Sequence, residues 1–296
     1  MRRAPTPLPA LVAVTAIWGY TFVPVQKTVG AYPLFTFLAV RFAISTAALA
    51  PFAWRSLRTL PRAGWPAGFV AGSFLALAYG LQTAGLELTT VTSTGFITGL
   101  YVVFTPLLAL AAFRTPVPAP VWVGVTLALA GLLLLGGAPG GSWLGNALVL
   151  GNAVAQSFQI VAMERFAPRY DARALTFLQM AVAGVGFTVI AVAAGQLEAP
   201  PDAETWYALV VTGVFAGALG YLVGTWVQSR TTAARAALVF TLEAPFAALA
   251  GVLLADEVLG WAGWIGCGVM MAAILVAEPA ASATLRRLSR RDAVTT

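Results

Sequence analysis

Ten long apolar segments dominate this sequence and limit what the chain can fold into more than any other feature. Short connections rich in Pro, Gly, Arg and Asp separate them. A helix that crosses the hydrocarbon core of a bilayer needs about 17–25 residues, and helices satisfy their own backbone hydrogen bonds in lipid. The sequence therefore predicts an all-α integral membrane protein with ten transmembrane helices. We place these spans at residues 8–26, 33–54, 64–86, 91–113, 121–137, 143–163, 175–195, 206–227, 234–255 and 261–278.

The composition excludes an ordinary soluble domain. Of the 296 residues, 59% are hydrophobic and only 9% are charged, whereas soluble domains have about 45–50% apolar and about 25% charged residues. The net charge of +6 does not indicate nucleic-acid binding, because the basic residues sit in short gaps between apolar segments and not on one folded face. We therefore expect the lipid bilayer to be the main surroundings of this chain.

Metal, disulfide and cofactor chemistry have few candidate groups. The sequence contains no histidine, which removes the commonest metal ligand and the usual proton shuttle. Its single cysteine, Cys267, lies inside an apolar segment, so no intrachain disulfide can form. We predict no metal site and no cofactor.

The basic residues are distributed unevenly between the two sides of the predicted bundle. With a cytoplasmic N-terminus, only Lys27 falls outside and only Arg41 lies deep within a span. The positive-inside rule predicts this asymmetry for an even number of spans with both termini in the cytoplasm. The inside segments contain Arg2, Arg3, Arg55, Arg58, Arg62, Arg114, Arg165, Arg169, Arg173, Arg230, Arg235, Arg286, Arg287, Arg290 and Arg291.

The two halves of the chain repeat each other. At a shift of 142 positions Tyr79 aligns with Tyr221 and Trp122 with Trp264, without gaps from 65 to 135. We predict a first five-helix repeat at 1–137, a second at 138–280 and a basic cytoplasmic tail at 281–296. Because five is odd, the repeats have opposite orientations, an arrangement common in secondary transporters.

Several motifs in this chain resemble a known family. The second repeat contains Leu242-Glu243-Ala244-Pro245-Phe246-Ala247-Ala248-Leu249, followed by Asp256-Glu257 and Trp264-Ile265-Gly266. With Trp18-Gly19 and Arg41-Phe42, these motifs resemble the EamA-type branch of the drug/metabolite transporter superfamily. The first repeat departs from the pattern at Arg114-Thr115, where members of this family often have Gly-Glu.

The resemblance implies a function and a location. It suggests a ten-helix carrier in the plasma (inner) membrane that exports amino acids or related small metabolites by alternating access. The substrate cavity would lie between the repeats, lined mainly by the first, third, fourth, sixth, eighth and ninth spans. Monomeric and homodimeric forms both remain open, as does coupling to protons.

Two charged residues lie at membrane depth, where charges are costly and usually functional or paired. Arg41 is near the middle of the second span and Glu243 near the middle of the ninth. One hypothesis assigns them to a substrate or proton site. The alternative is a structural ion pair that fixes the positions of the two helices.

Uncharged polar and aromatic side chains within the spans should point inward, because lipid offers them no partners. Interhelical hydrogen bonds and packing explain such residues equally well. Pro106 and Pro245 lie within spans and are not equivalent at the 142 shift, which predicts different bends in the fourth and ninth spans. The candidate cavity residues, besides Arg41 and Glu243, are Trp18, Tyr20, Tyr79, Gln82, Thr98, Tyr101, Gln156, Gln159, Tyr221 and Trp226.

Two alternatives to a carrier are a channel and an enzyme. A channel-like facilitator is the first, although two inverted repeats favour alternating access. An intramembrane enzyme is the weaker alternative, because the sequence has no H-E-x-x-H, G-x-S-x-G or G-x-x-x-x-G-K motif. We therefore predict that the protein is not an enzyme.

Overall fold

The structure is a computed structural model that describes residues 8–114, 116–136 and 140–277. Every regular element in these ranges is a helix, and no strand occurs among them. The predicted tail at 281–296 lies outside the described residues, as does part of the junction between the predicted repeats. Where the structure describes the spans, their bounds agree with the predicted ones to within a few residues.

We number the helices in chain order, counting an interrupted helix once. They are α1 (Leu8–Val29), α2 (Leu34–Arg58), α3 (Gly64–Leu88), α4 (Val91–Phe113), α5 (Ala119–Gly136), α6 (Trp143–Phe166), α7 (Ala172–Ala193), α8 (Ala203–Gln228), α9 (Ala233–Leu254) and α10 (Trp261–Ala277). Among the described residues, α2, α3, α4, α7, α8 and α9 are long and apolar enough to cross a membrane, and α5 and α10 are shorter apolar helices.

The starts of four helices are encoded locally by side chains that accept a backbone hydrogen bond. Ser142 precedes α6 and accepts from Gly145 N at 3.0 Å, and Asp171 precedes α7 and accepts from Arg173 N at 2.8 Å. Thr90 and Asp202 act in the same way before α4 and α8. Such caps satisfy backbone N–H groups that have no partner within the helix.

Helices α4 and α9 are interrupted at equivalent positions. In α4 the break falls at Leu100, between Val91–Gly99 and Tyr101–Phe113, and Leu100 N bonds to Ile97 O at 3.1 Å. In α9 it falls at Thr241 and Leu242, directly before Glu243–Leu254. Positions 100 and 242 differ by the repeat shift of 142. The two helices are therefore broken alike, although their prolines do not coincide.

Helix α8 contains a π-helical segment, Val211–Gly220. Its backbone carbonyls accept hydrogen bonds from two neighbouring helices. Ser45 Oγ on α2 donates to Gly213 O at 2.7 Å, and Trp18 Nε1 on α1 donates to Ala216 O at 3.0 Å. π-Helical segments are rare and often lie at functional sites. Here the segment connects α8 to both α1 and α2.

The two predicted repeats interlock. Helix α2 packs along α7, α5 along α10, and α3 along α6, so each of these pairs joins helices from different halves of the chain. Their connections also meet: Tyr32 O–H, after α1, donates to Glu198 O, after α7, at 2.8 Å. Burial, with a smaller contribution from the Glu198 charge, raises the pKa of Tyr32. The halves therefore share one core.

Helix α1 approaches α9 closely at Gly19. A Cβ atom at this position would lie 2.6 Å from the backbone nitrogen of Ala247 and 2.6 Å from the Cβ of Phe246. We therefore expect Gly19→Ala to force the two helices apart and lower the free energy of unfolding by about 1–3 kcal/mol, despite the better helix propensity of Ala.

The measurement for Gly19→Ala is reversible unfolding of the purified protein in mixed micelles. Gly186→Ala on α7 is the matched control, because no atom lies within 4 Å of a Cβ placed there. The control should be as stable as the parent or slightly more so. Equal stability of both variants would show that α1 and α9 can move apart without a loss of stability.

Candidate functional site

Two small adjoining spaces lie between the two halves of the bundle, and we call them together the central cavity. Their volumes are about 20 Å³ and about 10 Å³, which suffices for about one water molecule each. Sites for small-molecule ligands are about 300–1,000 Å³. The central cavity is therefore closed in the sense that it is too small for a metabolite, which would fit only after the helices move.

The lining of the central cavity combines charged, aromatic and amide side chains. It comes from α1, α2, α3, α4, α6, α8 and α9. The amide side chains of Gln82, Asn152 and Gln156 line the first space, Arg41 lines the second, and Glu243 lines both. The lining residues used below are Trp18, Arg41, Tyr79, Gln82, Thr98, Tyr101, Asn152, Gln156, Tyr221, Phe240 and Glu243.

Arg41 reaches the central cavity from α2 and is only 3% exposed. Its guanidinium carbon lies 4.6 Å from the ring centroid of Tyr79 and 5.7 Å from that of Phe42. Such cation–π contacts stabilise a desolvated cation in part. Its Nε atom is buried and has no hydrogen-bond partner. The site therefore contains a buried cation with at least one unused hydrogen-bond donor.

Glu243 faces both spaces of the central cavity. It is the first residue after the interruption of α9, where the positive end of a helix dipole favours an anion. Although Glu243 and Arg41 line the same space, no nitrogen–oxygen distance of 4.0 Å or less joins their side chains in the described part of the chain. An acid and a buried cation thus line the same cavity without direct contact.

Aromatic rings form one wall of the central cavity. The ring centroid of Trp18 lies 5.3 Å from those of Tyr221 and Phe240, and the rings of Tyr79 and Tyr221 are 6.0 Å apart. These separations suit tilted and edge-to-face packing. The hydrogen bond from Trp18 to the π-helical segment of α8 fixes the orientation of its indole. The wall is therefore aromatic, with ring packed against ring, and is made by both halves.

A chain of polar contacts forms another part of the lining. Gln82 Nε2 donates to Thr98 Oγ1 at 3.2 Å, and Thr98 Oγ1 donates to Asn152 Oδ1 at 3.0 Å. Asn152 Nδ2 in turn donates to Ala78 O at 3.0 Å. This network holds α3, α4 and α6 together beside the interruption of α4, so these polar groups also have a structural role.

Comparison with known proteins identifies the family. The profile of the EamA-like transporter family matches residues 7–137 and again residues 143–277. The chain belongs to the EamA-like transporter family. This family is part of the drug/metabolite transporter superfamily, so the resemblance inferred from the sequence motifs is confirmed. The protein is a multi-pass membrane transporter.

Two individual proteins are similar to this EamA-family chain. An "Uncharacterized transporter" from Archaeoglobus fulgidus is 28% identical over 271 residues, which cover 90% of this chain and 83% of the relative. A protein of known crystal structure superposes with a TM-score of 0.75 at 19% identity, covering 96% of this chain and 99% of the other. The second likeness shows that the fold is shared.

Nine of the twelve predicted site residues line the central cavity of this EamA-family protein, and three lie elsewhere. Tyr20 pairs with Tyr207, their hydroxyl oxygens 2.6 Å apart. Gln159 Nε2 donates to Gln179 Oε1 at 2.7 Å, between α6 and α7. Trp226 lines a separate cavity of about 460 Å³ and stacks on Arg230, 4.2 Å from its guanidinium carbon.

Asn152 and Phe240 line the central cavity but were not among the predicted site residues. Helical spacing was the signal that could have found both. Asn152 lies four residues before Gln156, and Phe240 lies three residues before Glu243. Residues three or four apart share a face of a helix, so each accompanies a predicted residue.

Proposed function

We propose that this EamA-family protein is a secondary transporter that exports small zwitterionic metabolites, such as amino acids, by alternating access. The observation that carries the proposal is the closed central cavity, which holds one buried cation, one acid and an aromatic wall. Arg41 would bind the carboxylate of the substrate and Glu243 its ammonium group. The aromatic wall would pack against the substrate side chain.

The arrangement of charges suits a zwitterion. A carboxylate accepts strong hydrogen bonds from a guanidinium group, and Nε of Arg41 has no partner in the closed cavity. Glu243 and Arg41 do not neutralise each other by direct contact, so a ligand with both charges could lie between them. Such a ligand would recover part of the cost of keeping two charges at membrane depth.

The proposed transport cycle follows from the architecture. Ten helices would cross the membrane as two inverted five-helix repeats, with both termini in the cytoplasm. The uneven distribution of Arg residues supports this orientation, and the family profile matching each half supports the repeat. Breaks at equivalent positions of α4 and α9, beside the cavity, provide places where the two helices can bend. The plasma (inner) membrane is the proposed location.

The test is counterflow into proteoliposomes that contain the purified protein. Vesicles preloaded with an unlabelled amino acid should take up the labelled compound saturably, and neither empty liposomes nor vesicles without internal substrate should do so. Aromatic and other neutral amino acids are the first compounds to examine. A flux that never saturates would favour a channel-like facilitator, and no flux of any amino acid with folded protein would refute this substrate class.

Proton coupling is a separate part of the proposal. Glu243 is the acid at membrane depth that could exchange a proton when the substrate leaves. Imposing a pH gradient across the proteoliposomes should then drive net substrate movement, and collapsing it with a protonophore should stop that movement. Uptake that follows only the substrate gradient would show uncoupled transport.

A further inference from the structure

Glu257 connects the two halves of the bundle at one end. It lies between α9 and α10, and its carboxylate contacts the first turn of α4. Oε1 accepts from Val91 N at 2.7 Å, and Oε2 accepts from Thr92 N at 3.0 Å and from the hydroxyl of Thr92. The first N–H groups of a helix have no partner within it, and the helix dipole favours an anion there.

The backbone around Glu257 is shaped to bring its carboxylate to α4. Asp256 has a φ of 53°, in the left-handed region, which turns the chain back towards the bundle. Glu257 N then donates to Gly251 O at 3.1 Å. A Cβ at Gly251 would lie 2.6 Å from Oε2 of Glu257. The glycine therefore leaves the space that the carboxylate occupies.

The other end of the bundle has the same turn without the same residues. Arg114, which is equivalent to Asp256 at the 142 shift, also has a left-handed φ, of 51°. However, Ala109 replaces Gly251 and Thr115 replaces Glu257 in the first repeat. Thr115 lies outside the described residues, and its side chain has no carboxylate. The two repeats thus share the left-handed turn, but only the second repeat has an acid after it.

The geometry points to Glu257 as a latch that holds the outer side of this transporter closed. This inference rests on the proposed function and orientation, in which α4 begins and α9 ends at the outer face. Opening towards the outside requires the start of α4 to separate from the end of α9, which breaks the bonds to Glu257. The equivalent position in the first repeat is Thr115, which has no carboxylate, so this latch belongs to the outer side. Glu257 is a positioning residue and does not touch the central cavity.

The test measures access to the cavity from outside and requires no transport. Cys267 is first replaced by Ser, and Val25→Cys introduces one thiol. Val25 is only 4% exposed and lines the central cavity near the end of α1. A membrane-impermeant maleimide is added to intact cells, and the rate of labelling is followed. We expect Glu257→Gln to raise this rate at least tenfold.

Two further variants show whether the effect belongs to the latch. Asp256→Asn removes the neighbouring acid, tolerates the left-handed turn and should leave the labelling rate unchanged. Gly251→Ala keeps the acid but fills its space, and it should raise labelling as Glu257→Gln does. Combined with Glu257→Gln it should add little, because both changes break the same contact.

Several outcomes would overturn the latch. Unchanged labelling in Glu257→Gln would do so, and so would an equal increase in Asp256→Asn. If Glu257→Gln does not fold, Thr92→Ala removes one of the bonds and should still raise labelling severalfold; an unchanged rate would again refute the latch. Labelling confined to inside-out vesicles would mean that the orientation is wrong. Absence of amino-acid counterflow with increased labelling would refute only the proposed substrate.

Discussion

Arg41→Ala is expected to raise the KM for amino-acid counterflow by about 10–100-fold. The reason is the loss of a charge-assisted hydrogen bond to the substrate carboxylate, worth about 1.5–3 kcal/mol, when about 1.4 kcal/mol corresponds to tenfold in affinity. Arg41 is buried, stacks on Tyr79, has an unpartnered Nε and lines the central cavity. The measurement is the concentration dependence of counterflow in proteoliposomes with matched protein content.

Two companion variants separate binding from folding at this position. Arg58→Gln removes an exposed arginine at the end of the same helix and should leave the KM unchanged. Arg41→Lys keeps the charge but loses the planar guanidinium that stacks on Tyr79 and can bind a carboxylate with two bonds. Its KM should lie between those of the parent and Arg41→Ala. Normal affinity in a folded Arg41→Ala protein would assign Arg41 a structural role.

Glu243→Gln is expected to alter substrate selectivity as well as affinity. If its carboxylate binds the substrate ammonium, the neutral amide should weaken binding of an amino acid by about 10–100-fold. The same compound without its amino group should bind the variant about as well as the parent. Arg41→Ala should instead lose affinity for both compounds, because both have the carboxylate. The measurement is competition by each compound against labelled amino-acid counterflow.

The control for Glu243→Gln is Glu87→Gln, which neutralises an exposed acid near the end of α3. It should leave the affinity for both compounds unchanged. An equal loss of affinity for both compounds in Glu243→Gln would contradict an ammonium contact, because the deaminated compound has no ammonium group to bind Glu243. Such a result would favour a general effect on the closed cavity. If only the response to a pH gradient were lost, Glu243 would serve the proton and not the substrate.

The helices were predictable because membrane helices are encoded locally. Their length, apolarity and flanking arginines are properties of contiguous segments, so predicted bounds such as 261–278 and observed bounds such as Trp261–Ala277 nearly agree. The family was predictable for a related reason, since its motifs are short contiguous runs such as the one that begins at Leu242. The ten membrane crossings and the cytoplasmic termini remain predictions of the same local kind.

The candidate site was only partly predictable. Helical spacing shows which residues share a face, as for Asn152 and Gln156, but it does not show which neighbouring helix that face meets. Gln159 is buried like a cavity residue, yet it pairs with Gln179 on α7. The position of Tyr20 could not be predicted for the same reason. Its partner Tyr207 lies beside it in the folded chain and far from it in sequence.

By itself, the sequence determined the class of protein, the positions of its helices and the family, and it indicated Arg41 and Glu243 as candidate site residues. The tertiary structure decided that Arg41 and Glu243 line one closed cavity, that α4 and α9 break at equivalent positions, and that Glu257 contacts the start of α4. The physical reason is the range of the interactions involved. Burial in lipid and backbone hydrogen bonding act within a segment, whereas cavities and contacts between the halves depend on residues more than a hundred positions apart.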